Sequence, residues 1–184
     1  MKKISNILHL LLIAFQLFII SIIIAKTTHF FMKFDSVETN PFFGIHLSEE
    51  TSSTSRLIIF GITLLLMIFL CYLINIFRNV ILDFNQRLIF NKENGKQLKK
   101  VAIGLLFICL AILIITILSL PYHNLYEVLG AKDNAYRSGY NLGLFTGRII
   151  GLLFPIIVPA IFILLISYII KEGSFIKNEN DLTI

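Results

Sequence analysis

Four long apolar runs, at about 4–25, 57–77, 101–120 and 149–170, alternate with polar stretches along the chain. Each holds roughly the 20 residues that a helix needs to cross about 30 Å of hydrocarbon. Inside lipid the backbone finds no outside hydrogen-bond partner, so runs of this kind are helical. The pattern predicts an all-α fold: a transmembrane bundle of four helices with up-down topology, forming one domain over residues 1–184. No polar stretch exceeds about 30 residues, which leaves no room for an added soluble domain.

The polar flanks carry their own helical pattern. Phe77, Val80, Ile81, Phe84 and Leu88 recur at helical spacing, with Arg78, Asn79, Asp83, Asn85 and Arg87 on the other face, so the second span is expected to continue as an amphipathic helix. Asn91 is a good cap and Glu93 suits the positive end of a helix dipole, so the third helix is expected to begin near Lys92. The fourth run has a stripe of small residues, Gly139, Gly143, Gly147 and Gly151, continued at the same spacing by Pro155 and Pro159. Small residues spaced in this way let helix backbones approach closely in lipid. The stripe therefore implies helix packing, against another span or against a second copy in a homodimer, or else a gating hinge, and the prolines are expected to bend the helix.

Composition sharpens the membrane assignment: 57% of the residues are hydrophobic and only 15% charged. The first run is expected to be retained, because its apolar core is longer than the roughly 7–15 residues of a signal peptide. Ten of the sixteen Lys and Arg lie at Lys2, Lys3, Arg78, Arg87, Lys92, Lys96, Lys99, Lys100, Lys171 and Lys177, on one side of the predicted membrane. Cytoplasmic loops hold the excess of basic residues. Both termini and the middle loop are therefore expected to be cytoplasmic, in a multi-pass protein of the plasma membrane. Anionic headgroups and topology account for the net charge of +5, so no direct nucleic-acid partner is implied.

Chemistry-bearing patterns are sparse. No Asp, Glu, Lys or Arg interrupts the core of an apolar run, where such groups mark ion paths and catalysis. His9 and Gln16 share a face of the first span, and Asn75 lies near the inner end of the second. Cys71 and Cys109 fall inside spans and read as small packing residues. His29, His46 and His123 lack ligand spacing, and no nucleophile elbow, phosphate loop or zinc helix is present. No catalytic residue, metal or cofactor is expected, and the chain is read as not an enzyme. Aromatic clusters at His29 to Phe34 and Pro41 to Phe43 are expected to lie among headgroups or to fold over the mouth of the bundle.

The segment Phe90-Asn91-Lys92-Glu93-Asn94, followed by Leu98, is echoed with one insertion by Phe175-Ile176-Lys177-Asn178-Glu179-Asn180 and Leu182, as a duplicated helical hairpin would leave behind. The stretches from Arg87 to Gly104 and from Lys171 to Ile184 resemble the bacterial membrane family called domain of unknown function 2975. The middle loop departs from the family pattern, because Arg87-Leu88-Ile89-Phe90-Asn91 stands where the family has Gly and Pro in the turn. The resemblance implies four spans over essentially the whole chain and a regulatory role beside a small helix-turn-helix regulator, with no activity to carry over. Partner docking is accordingly expected at Phe84, Leu88, Phe90, Glu93, Asn94, Phe175, Glu179, Asn180 and Leu182. Two classes of function stand open. One is a non-enzymatic regulatory or sensory membrane partner of such a regulator, and the other is a small permease or efflux-like protein whose fourth helix moves.

Overall fold

The computed structural model describes residues 2–32, 41–45, 47, 51–85, 90–118 and 135–182. They form four helices, α1 Lys2–Met32, α2 Ser53–Asn85, α3 Lys92–Leu118 and α4 Ala135–Leu182, with a 3-10 turn at Phe42–Gly44 between α1 and α2. All four are long and apolar enough to cross a membrane. Helices adjacent in sequence pack on one another, α1 on α2, α2 on α3 and most extensively α3 on α4, which gives an up-down bundle. The chain is a multi-pass membrane protein, and its outward faces carry the large apolar side chains, Leu10, Leu17, Leu65, Phe107 and Phe162 among them, that lipid accommodates.

The helices overrun the apolar runs that predicted them. α2 continues to Asn85 along the expected amphipathic stretch, with Val80 and Ile81 buried. α3 starts at Lys92 as expected, and Asn91 Oδ1 accepts from the Glu93 backbone N–H at 3.1 Å, capping the first turn. α4 differs most from expectation. Its 48 residues run through Pro155 and Pro159 without interruption and reach Leu182, so the polar ending is helical. At 1.5 Å per residue α4 is about 72 Å long, over twice the hydrocarbon thickness. The echo of the hairpin signal therefore has two different structures: Phe90 to Asn94 opens α3, while Phe175 to Asn180 lies within the continuous α4.

The core is built on α3. Asn94, Leu98, Val101, Ile108, Ile112 and Ile115 are buried, at steps that fit a repeat of three and a half residues. α4 answers with Leu153, Ala160, Ser167 and Ser174, all buried and each seven residues from the next. This is a coiled-coil seam, and the small side chains on α4 let the two backbones come close. Two hydroxyls inside the spans are bonded within their own helices, Thr63 Oγ1 to Phe60 O at 3.0 Å and Thr116 Oγ1 to Ile112 O at 2.8 Å.

At one end of the bundle, Ser5 Oγ donates to Ile81 O at 3.0 Å, and Gly95 meets α4 at Ser167 and Lys171. This basic end therefore holds the start of α1, the end of α2, the start of α3 and the end of α4. At the opposite end the aromatic segment folds over the bundle. Phe42 and Ile45 are each 1% exposed, and Phe30 stacks on Phe60 with ring centroids 3.8 Å apart. His46, His123, Tyr122 and Tyr126 lie outside the described residues.

Candidate functional site

The basic end is where the sequence places partner docking, and its geometry is set by the α3–α4 joint. A Cβ on Gly95 would stand 3.3 Å from Ser167 O and 3.5 Å from Lys171 N, both backbone atoms of α4. Ser167 Oγ, buried, donates to Gly95 O at 2.8 Å across the same contact. One turn further along α4, a Cβ on Gly173 would meet the Phe90 ring. The two stretches that carry the family resemblance thus pack on each other: the opening of α3 is held by the segment of α4 around Lys171 to Ser174.

This arrangement divides the expected docking residues. Asn94 is fully buried at 0% exposure, so it serves the joint between α3 and α4, and its assignment as a docking residue is corrected. A polar residue at a helix start reads as solvated, but α4 extends far enough to cover it. Phe90 is half-exposed while its ring covers Gly173. Phe84 is half-buried in a small cluster with Val80, Leu98 and Ile170. Glu93 is exposed and pairs with Lys96 at 3.4 Å, a contact of little energetic weight at the surface. Phe175 is 61% exposed on the last turns of α4, Glu179 and Asn180 are exposed beyond it, and Ile176 beside it, which the sequence did not single out, is 57% exposed. Leu88 lies outside the described residues, and Leu182 is described only as part of the helix.

The glycine stripe faces outward. Gly139, Gly143, Gly147 and Gly151 are exposed, as are Pro155 and Pro159, and a Cβ on any of the four glycines would meet nothing within 4 Å. Packing of this stripe against another span of the same chain is therefore corrected among the described residues. The face that packs is the opposite one, from Leu153 to Ser174. Its signal was available as small residues seven apart at Ala160, Ser167 and Ser174, but the four-residue glycine spacing masks it.

A polar cluster between α1 and α2 was also missed. Arg78 Nη2 donates to Asn75 Oδ1 at 2.6 Å, and Nη1 reaches Gln16 Oε1 of α1 at 3.5 Å. Its Nε is buried with no acceptor among the described residues. The guanidinium is thus held by two neutral amides and lends its charge to the interior of the basic end. The sequence placed Arg78 on the polar face of the helical extension of the second span and left Gln16 and Asn75 as isolated polar residues. On the neighbouring face, Lys100 Nζ donates to Tyr72 OH at 3.0 Å. Cys109 is buried with Sγ 4.0 Å from Leu153 O, and Cys71 is half-buried, both as free thiols. Among the described residues no three His, Cys, Asp or Glu side chains converge on a point.

The model of a family described as Protein of unknown function (DUF2975) matches residues 45–184. No curated protein and no solved structure matches the chain. The matched region contains α2, α3 and α4 together with the joint between Phe90, Gly95, Ser167 and Gly173.

Proposed function

Because the chain belongs to the family Protein of unknown function (DUF2975), we propose that it is a non-enzymatic regulatory membrane protein whose basic end holds a small helix-turn-helix regulator at the plasma membrane of a bacterium. The observation that carries this reading is the pair Phe175 and Ile176. Both are exposed on a helix that outruns the bilayer, in a segment where Lys171, Glu172, Lys177 and Glu179 supply a charged surround. Apolar anchors within a polar rim are the usual core of a protein contact. The outward stripe at Gly139, Gly143, Gly147 and Gly151 leaves room for a second helix backbone, and the proposal includes a homodimer formed along it.

Docking requires the basic end to be cytoplasmic. In a background with Cys71 and Cys109 replaced by Ala, single cysteines at Lys96 and Lys177 should resist an impermeant thiol reagent in intact cells, while one at Ser53 reacts. The reverse pattern would invert the topology and remove the docking surface from the cytoplasm.

The docking test is the double variant Phe175→Asp with Ile176→Asp. It spares Ser174, which is buried and which a truncation from that residue would remove. A co-expressed helix-turn-helix regulator should be retained in the membrane fraction by the native chain and released by the double variant, with binding weakened roughly 30-fold or more, as for loss of a hot spot. Insertion of the four spans should be unchanged. If the native chain never retains the regulator, the anchor reading fails and the permease reading moves ahead.

A further inference from the structure

A cavity of about 340 Å³ lies at the basic end where the α1–α2 and α3–α4 hairpins meet. All four helices line it, through Ser5 and Leu8 of α1, Ile81 and Phe84 of α2, Leu98 of α3 and Ile166 of α4. Among the described residues Ser5 contributes the only polar side chain of the lining, and its hydroxyl proton is committed to Ile81 O at 3.0 Å. A polar ligand would leave its own groups without partners here, so the wall suits hydrocarbon alone. The volume falls at the low end of ligand pockets and matches a segment of chain better than a whole amphiphile. α1 and α4 scarcely touch. The cavity therefore lies beside a gap in the ring of helices, on the side that faces lipid.

Charge at the same level favours one kind of headgroup. Lys99 directly follows Leu98, Lys171 follows the buried Ile170, and Lys2 and Lys3 form the first turn of α1, just before Ser5, while Lys100 turns away to Tyr72. Among the described residues no carboxylate lies within 4 Å of Lys99 or Lys171, and Glu93 is paired with Lys96. Basic residues at the membrane surface attract anionic lipid.

We infer that the cavity binds one acyl chain of an anionic phospholipid, which inserts between α1 and α4 and leaves its phosphate among the lysines of the basic end. The site is independent of the regulator reading, since occupancy requires only the bundle and the bilayer.

The test uses the full chain reconstituted in vesicles that contain phosphatidylglycerol or phosphatidylcholine with a photoactivatable diazirine on the acyl chain. Crosslinks from phosphatidylglycerol should concentrate on the peptides with Leu8, Phe84 and Ile166, several-fold above those from phosphatidylcholine. Ile166→Trp and Leu8→Trp each fill the cavity from a partly exposed position, one from α4 and one from α1, and each should remove these crosslinks without lowering the melting temperature. Ile161→Trp, on the outward face of α4, should leave them unchanged. Two filling variants keep the test open if one fails to insert. Crosslinks spread evenly over outward residues such as Leu10 and Ile161, or retained in both filled variants, would overturn the site. Equal labelling by the two lipids would overturn the anionic assignment and the proposal with it.

Discussion

Gly95→Leu should force α3 and α4 apart and be among the most destabilising single substitutions in the bundle. The contact at Gly95 is with backbone, Ser167 O at 3.3 Å and Lys171 N at 3.5 Å from where a Cβ would sit, so no side chain can swing away to make room. Overpacking of this kind costs about 1–3 kcal/mol. The separation would also break the buried bond from Ser167 Oγ to Gly95 O, worth about 1 kcal/mol more. Gly147→Leu and Gly151→Leu provide the contrast, because nothing lies within 4 Å of either position. Their effect on the monomer should stay within about 0.5 kcal/mol, as for an exposed site. Thermal unfolding in detergent, with disulfide crosslinking between α3 and α4 as a second readout, orders the three variants. If Gly147→Leu proves as damaging as Gly95→Leu, the packing face of α4 has been misplaced.

That contrast also marks where the sequence is readable. The four spans follow from run length against hydrocarbon thickness, and the start of α3 follows from Asn91, because a cap is a local event between residues two apart. The packing face of α4 is harder to find. In water the buried face of a helix is the apolar one, but in lipid both faces are apolar, and hydropathy no longer separates inside from outside. What remains is residue size, and there two signals compete. The Gly139 to Gly151 repeat is the more conspicuous, yet it faces out of the bundle, while Ala160, Ser167 and Ser174 make the seam.

Polar residues misled for a related reason. Asn94 reads as a surface residue because it stands one step after Glu93 among lysines, and only the continuation of α4 beyond Ile170 buries it. Arg78 reads as a solvated residue on the polar face of α2; Asn75 stands one turn away in the same helix, but only the packing of α1 on α2 brings Gln16 to its guanidinium. In each case the local assignment of type was sound and the missing information was a second helix. The cavity at the basic end belongs to the same class. None of its lining residues is unusual alone, and it exists because two hairpins diverge where α1 and α4 scarcely touch.

Phe42→Ala should remove the lid at the opposite end of the bundle and lower stability by about 3–5 kcal/mol, the range for truncating a fully buried phenylalanine. Phe42 is 1% exposed, and its ring lies 5.3 Å from that of Phe60, which in turn stacks on Phe30 of α1. It is held there from both sides along the chain. Lys26 Nζ donates to Pro41 O at 3.1 Å and stands 5.7 Å from the Phe42 ring centroid, and Ile45 is buried three residues on. Truncation would open a void between α1 and α2 and strip Lys26 of a cation–π contact of about 0.5–2 kcal/mol. α1 packs less extensively than α3 or α4 and shares a packed cluster with Phe42, so the loss should also loosen α1 on α2. Phe31→Ala is the matched control, since Phe31 is 68% exposed and its removal should be close to neutral. Melting of the two variants in the same detergent decides the matter. Equal melting temperatures would mean that the aromatic segment rests among headgroups and does not close the bundle.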